Sequence, residues 1–225
     1  MKMILASSSK QRATLLRNAG FVFDVVTADV DETRRADEPA GEYVQRLAEM
    51  KARAIFEFTT RALRPGEIRA GKSFEESMRQ LAEAKAHAAQ ISSALEYAVA
   101  IGADTVITVD GLVLGKPENA AGSREMLRRL SGRTHEVVTG LAVLVWPADR
   151  IRVELERTRV KFAPLTDAEI EDYIASGEPF DKAGAYAVQG RGGRFVERVE
   201  GCYFNVVGLP LARLYRLLRE VGWRE

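Results

Sequence analysis

Ser7-Ser8-Ser9, followed by Lys10 and Arg12, puts hydroxyls, free backbone N–H groups and two cations at what reads as a helix start. Such a start attracts an anion, because its first N–H groups lack partners within the helix and the helix dipole is positive there. Plain N-capping accounts for serines at that position as well. Asp104 stands in the apolar run Val99-Ala100-Ile101-Gly102-Ala103-Asp104-Thr105-Val106-Ile107. A carboxylate in such a run is costly to bury unless it is paired, hydrogen-bonded or on a metal, which marks it as functional. Asp31-Glu32 is a second acidic position, at the end of a strand. Carboxylate oxygens suit Mg²⁺, which commonly bridges protein carboxylates and substrate phosphates.

The basic residues form a third set. Lys116 is stiffened between Gly115 and Pro117. Lys182 lies in Glu178–Tyr186, just before Gln189-Gly190-Arg191-Gly192-Gly193. A glycine-rich loop lets backbone approach a ligand closely, although the glycines alone also read as a flexible hairpin. Other chemistries find no support. His87 and His135 lack metal-ligand spacing. There is no nucleophile elbow for a serine triad, no Walker A pattern and no G-x-G-x-x-G in a strand–turn–helix context. Cys202 reads as packing or a near-surface thiol. The residues by themselves lead to a phosphate-containing ligand with a divalent metal.

These groups need elements to hold them. Met3–Ala6 reads as a short buried strand, and Lys10–Asn18 as a helix with Ala13, Leu15, Leu16 and Ala19 on one side, stopped by Gly20. Phe21–Ala28 reads as a second strand. After Pro39-Ala40-Gly41 a long helix carries Tyr43, Val44, Leu47, Ala48, Ala52, Ile55 and Phe56 at helical spacing. Arg64-Pro65-Gly66 breaks it, and the capping box at Ser73 opens another helix to about Glu96. Val99–Val109 is a strand closed by the Asp110-Gly111 turn. Arg124–Leu130 is helical, and Val137–Trp146 and Ile151–Phe162 alternate as antiparallel strands. The capping box at Thr166 opens a helix to Ala175, Arg194–Val199 is a strand, and Pro210–Val221 is a closing helix. Interleaved strands and helices around an antiparallel hairpin give an α/β fold with a mixed, twisted sheet, flanking helices and two lobes about a cleft.

The chain has 225 residues, a length for one large domain or two small ones, and 46% hydrophobic with 29% charged residues is the mix of a globular protein. No Pro/Gly/Ser-rich linker divides it, so one domain is expected. Its formal net charge of +1 gives no drive toward nucleic acid or an anionic membrane. No apolar stretch reaches the roughly 18 residues of a membrane span. Met1–Ala6 is too short for a signal-peptide core. A single cysteine fits a reducing compartment, so a cytoplasmic location is expected. One internal echo is present: Leu47–Ala54 recurs as Leu81–Ala88, matching at six of eight positions. Two copies are too few for a solenoid, so a local duplication or insertion is the better reading.

In order along the chain, Ile4–Ser9 with Arg12, Asp31-Glu32-Thr33, Tyr43–Ala54, Ile101–Val106, Gly115-Lys116-Pro117, Met126–Gly132, Glu178–Gly190 and Gly201–Leu211 together resemble the Maf family of nucleoside triphosphate pyrophosphatases. The resemblance covers nearly everything outside about residues 57–80. It implies a fold like that of the inosine triphosphate pyrophosphatases. It also implies hydrolysis between the α- and β-phosphates to a nucleoside monophosphate and pyrophosphate, with a divalent cation (Mg²⁺ or Mn²⁺). Dimers are common in the family, so a homodimer is an expectation. By the same resemblance Asp104 is the general base and helps hold metal. Ser7, Arg12 and Lys116 take phosphate, Lys182 joins them as a substrate-binding residue, and Glu32 holds metal or water. Thr105 and Gln189 match the subgroup acting on dTTP and UTP, whereas Gln11 replaces an arginine that this subgroup uses for specificity.

The family has one helix with a Leu-Ala-x-x-Lys-Ala motif, and this chain has two. Lys51 is taken as the family's lysine and placed with Asp104 in catalysis, because Glu42–Ala54 matches over a longer run than the stretch around Lys85. The chain is then a single domain, 1–225, with a helical insertion at about 57–96. The competing readings are a pyrophosphatase for 7-methyl-GTP or other modified nucleotides, and a non-catalytic nucleotide-binding regulator of cell division.

Overall fold

The computed structural model describes residues 1–27, 29–62 and 97–224, apart from the side chains of residues 57–62. The helix expected from Ser73 to Glu96, including Lys85, lies outside the described residues, as do Ala28 and the break at Arg64-Pro65-Gly66.

The elements run β1 (Lys2–Ala6), α1 (Lys10–Asn18), β2 (Asp24–Val25), α2 (Ala40–Ala62), β3 (Ala98–Val109), β4 (Leu112–Leu114), α3 (Ala120–Leu130), β5 (Thr134–Trp146), β6 (Arg150–Phe162), α4 (Asp167–Ala175), β7 (Val196–Glu200), α5 (Tyr203–Val207) and α6 (Leu211–Glu220). They form a mixed sheet in the order β2-β1-β3-β5-β6-β7, with β4 paired to β3. β1 is parallel to both β2 and β3, and the other pairs are antiparallel. No helix among the described residues is long and apolar enough to cross a membrane.

Alternation along β3 divides the core. Ala98 and Ala100 face α2 and pack with Ala48, Ala52, Ile55 and Phe56. Val99, Ile101 and Ala103 face the other way, toward Ala13 and Leu16 of α1 and Leu214, Leu217 and Leu218 of α6. Farther along that second face, Ile107 and Val109 pack with Leu127 of α3 and Ile170 and Tyr173 of α4. Two apolar clusters therefore share one sheet face, with a polar seam between them at Thr105 and Thr139. The buried stripe of α2 supplies much of the adhesion on the opposite face, at about 2 kcal/mol for each large side chain such as Leu47 or Phe56.

Two glycines set how closely α2 lies on the sheet. A Cβ at Gly102 would stand 2.0 Å from the Ala48 carbonyl oxygen, and one at Gly140 would stand 2.1 Å from that of Val44. Only glycine permits this backbone contact.

One edge of β3 is interrupted. β1 pairs with Ala98–Gly102 and β4 with Ile107–Val109, while β5 lines the opposite edge. Between β1 and β4, Ala103–Val106 has no strand partner on that edge among the described residues. β1 leaves the sheet at Ser7 to enter α1. β4 stops at Leu114, and the carbonyl of Gly115 instead accepts a hydrogen bond from Gly184 N at 2.9 Å.

Several boundaries differ from the sequence expectation. The strand expected over Phe21–Ala28 shrinks to Asp24–Val25, because Phe21 and Phe23 turn to cover the α1–α6 core and Phe21 packs on Trp223. α3 begins at Ala120 rather than Arg124, since the Asn119 side chain caps Gly122 N. The glycine-rich stretch is a series of 3₁₀ turns, and Tyr203–Val207 adds a short helix not expected from the sequence. The capping box at Thr166 is formed as expected.

Candidate active site

The interruption in β3 opens onto a cleft of about 510 Å³. The candidate residues are delivered to it by seven separate pieces of chain. The exit of β1 brings Ser7, and α1 brings Gln11 and Arg12. The loop before α2 brings Glu32, α2 brings Lys51, and the centre of β3 brings Asp104 and Thr105. The stretch after β4 brings Lys116, and the 3₁₀ turns bring Lys182 and Gln189. All ten expected site residues thus line one cavity. Lys85, the other candidate lysine, lies outside the described residues.

On the α2 face, Asp104 and Glu32 share one ammonium. Lys51 Nζ lies 2.7 Å from Asp104 Oδ1 and 2.6 Å from Glu32 Oε1. The Asp104 and Lys51 side chains are only 13% and 10% exposed, whereas Glu32 is 59% exposed. The first two therefore interact with little screening by water, and Glu32 stands at the mouth. Tyr43 lines the same wall and donates its hydroxyl to the Glu32 carbonyl at 2.8 Å. Burial, then Asp104 and Glu32, push the Tyr43 phenol above its usual value. It therefore remains a neutral donor.

On the α1 face, Arg12 is buried and three of its N–H groups are taken. Nε donates to the Gly208 carbonyl at 2.8 Å, Nη1 to Ser7 Oγ at 3.2 Å and Nη2 to Thr105 Oγ1 at 3.0 Å. A guanidinium has five donors, so two remain for a ligand. Burial pulls Arg12 below its usual pKa, while Asp104 and Glu32 pull it back up. A guanidinium holds its proton through such a shift. The serines divide their work: Ser9 is the cap of α1, accepting from Arg12 N, whereas Ser7 accepts from both Arg12 Nη1 and Ser9 N.

The cleft is lined by the cations Lys10, Arg12, Lys51, Lys116 and Lys182 against the carboxylates Glu32, Asp104 and Asp181. Lys182 pairs with Asp181. Such a surplus of positive charge at a helix start suits a polyanion. Among the described residues no three His, Cys, Asp or Glu side chains converge. Two carboxylates without a third match a cation completed by substrate phosphates and water, as Mg²⁺ commonly is, rather than one held in an all-protein cage.

Sequence reasoning missed several groups here. The Gly208 carbonyl holds Arg12, and the Thr139 hydroxyl lies 2.9 Å from Thr105 Oγ1. A backbone carbonyl leaves no signature in sequence. Thr139 left one: a polar residue between Val137 and Leu141 on a buried strand face. Tyr43 looked like one more residue of the apolar stripe of α2.

The model of a family described as Maf-like protein matches residues 2–68 and 56–221 of the chain. A dTTP/UTP pyrophosphatase of Koribacter versatilis is 44% identical over 222 residues, covering 99% of this chain and 95% of that protein. Proteins of the same name from Citrifermentans bemidjiense and Carboxydothermus hydrogenoformans are each 42% identical. The first is matched over 98% of this chain and 95% of its own length, the second over 99% and 100%. With matches of this extent on both counts, the chain belongs to the Maf-like protein family.

Proposed function

We propose that this protein is a nucleoside triphosphate pyrophosphatase that cleaves dTTP and UTP between the α- and β-phosphates. The observation that carries the reading is the buried Lys51–Asp104 pair in the gap of β3, facing Arg12 across a cation-rich cleft. The relatives' name, dTTP/UTP pyrophosphatase, supports the same substrate class.

In this reading Asp104 takes a proton from a water molecule as the water oxygen bonds to the α-phosphorus. The bond from that phosphorus to the bridging oxygen breaks, and pyrophosphate leaves with the electron pair. Lys51 orients the Asp104 carboxylate. Arg12, Ser7, Lys116 and Lys182 neutralise and position the phosphate oxygens, which is most of what phosphoryl chemistry requires of a protein. Glu32 and Asp104 are the carboxylates that would hold a divalent cation, which when bound adds charge neutralisation on the phosphates. Gln189 faces the base, and Thr105, the other specificity position, acts beside the phosphates through its hydroxyl contacts to Arg12 and Thr139. The domain is read as 1–225 with an excursion at about 57–96; the two matched stretches of the family model overlap at its start.

One observation favours a second substrate class. Gln11 lines the cleft where the resemblance expects arginine, and it accepts from Ser9 Oγ at 3.4 Å rather than offering a fixed charge. Pyrophosphate release across dTTP, UTP, CTP, 7-methyl-GTP and GTP, with Mg²⁺ or Mn²⁺ and with EDTA, separates the readings. Preference for dTTP and UTP, abolished by EDTA, is expected. Preference for 7-methyl-GTP would assign specificity to Gln11. No release from any of them by folded protein would favour a nucleotide-binding regulator.

A further inference from the structure

Gln189 is exposed at the rim of the cleft, at the tip of a turn closed by Gly190 N donating to the Ala187 carbonyl at 3.1 Å. A side chain on such a tip can read a base only if the backbone beneath it is fixed. The structure shows what fixes it. The Glu178 carboxylate accepts from Arg191 N at 3.0 Å through Oε2, and from Gly192 N at 3.0 Å and the Tyr173 hydroxyl at 2.7 Å through Oε1. The buried Tyr173 hydroxyl in turn accepts from Ala187 N at 3.1 Å. The backbone is therefore pinned on both sides of Gln189 by one connected pair.

The glycines of the loop fit this pair. A Cβ at Gly190 would stand 2.3 Å from Glu178 Oε2, and one at Gly192 would stand 2.7 Å from the Tyr173 hydroxyl oxygen. The loop is bare where it closes on the carboxylate. Burial works against the charge of Glu178, but the Tyr173 hydroxyl and the Gly192 and Arg191 amides outweigh it and hold the carboxyl below its usual range. Hydrogen bonds to an ionised acceptor are the strong kind. Glu178 also begins the 3₁₀ turn that ends at Asp181, just before Lys182.

We infer that Glu178, with Tyr173, is a positioning residue for nucleobase selection: it holds the loop that presents Gln189. This rests on the reading of Gln189 as a base-facing residue. UTP and CTP differ at the pyrimidine 4-position, carbonyl against amino, so their kcat/KM ratio reads that recognition.

The test uses the full chain with UTP and CTP. Glu178→Gln keeps the size but cannot accept from both amides. It is expected to reduce the UTP-to-CTP ratio about tenfold, with the loss in KM more than in kcat. Glu178→Asp, which keeps the charge, should recover part of the ratio. Gln189→Ala should reduce the ratio alone, and adding Glu178→Gln to it should reduce it little further. Amide hydrogen exchange at Arg191 and Gly192 should quicken in Glu178→Gln. If Gln189→Ala lowers the ratio while Glu178→Gln does not, the positioning role is wrong. If Gln189→Ala leaves the ratio unchanged, the base-facing reading fails and the inference falls with it. Should Glu178→Gln not fold, Glu178→Asp is read in the same way, and an unchanged ratio together with unchanged exchange overturns the assignment.

Discussion

Asp104 and Thr105 are adjacent in β3, yet they meet opposite faces of the sheet: Asp104 contacts Lys51 of α2 at 2.7 Å, and Thr105 contacts Arg12 of α1 at 3.0 Å. The two-residue alternation of a strand does this unaided. One dipeptide thereby joins the wall of the cleft that holds Lys51 to the wall that holds Arg12. Asp104→Asn preserves the shape and removes the proton acceptor. It should lower pyrophosphate release at least about a hundredfold while the circular dichroism spectrum stays native. Near-normal turnover would remove Asp104 from the role of base.

On the proposed mechanism the shared ammonium puts the working lysine at Lys51 rather than Lys85. Lys51→Ala leaves two carboxylates facing each other without their counter-ion. It should cost about a hundredfold in kcat/KM, against less than about threefold for Lys85→Ala. The reverse order in parallel assays would move the family lysine to the second copy of the motif.

The contact between α2 and the sheet should tolerate no methyl group. At Gly102 or Gly140 the new Cβ would meet backbone, which cannot swing aside as a side chain can. Gly102→Ala is expected to destabilise the fold by about 2–3 kcal/mol. It should also depress turnover in whatever fraction remains folded, because α2 carries Lys51. Thermal melting paired with activity per folded molecule reads both effects. An unaltered melting temperature would show that α2 can lift away freely.

His135 gives the fold a pH dependence separate from catalysis. It is buried edge-on to Phe162, with Nε2 2.8 Å from the Tyr186 hydroxyl. Burial pushes its pKa from 6.5 down to about 4. Between those values the unfolded chain binds a proton that the folded chain refuses. Stability is therefore fully present above about pH 6.5 and declines as pH falls toward 4. Urea unfolding should lose about 2 kcal/mol between pH 7 and pH 5 through this residue. His135→Gln should flatten that slope, and an equal slope in the variant would place the titration elsewhere.

The parts of the site legible in sequence are those whose residue type conflicts with its surroundings. Asp104 was conspicuous because an apolar run makes a carboxylate expensive. α1, α2 and β3 were legible because their apolar spacing repeats at the helical or strand period. β2 misled because aromatic residues read as a strand, and Phe21 and Phe23 are used instead to cover a core. The Gly208 carbonyl holds Arg12 across 196 residues of chain, and the Tyr43 hydroxyl reaches a backbone carbonyl, contacts that no side-chain pattern encodes; Thr139 stood out only as a polar residue in a buried strand. The order of the strands, and with it the gap in β3, likewise depends on which elements meet in three dimensions.

That gap puts sheet integrity and ligand access in opposition. A hairpin normally gains by lengthening, since each added residue supplies hydrogen bonds and packing. Here β4 ends after three residues, and its continuation is diverted to Gly184, Lys116 and a proline that cannot donate to a ladder. A chain in which residues 115–117 were rewritten as good strand formers would zip β4 onwards along Asp104–Val106. It would gain a better sheet and close the gap onto which the cleft opens. In this fold the site is a seam deliberately left unsewn, and substitutions chosen only to raise the melting temperature should avoid it.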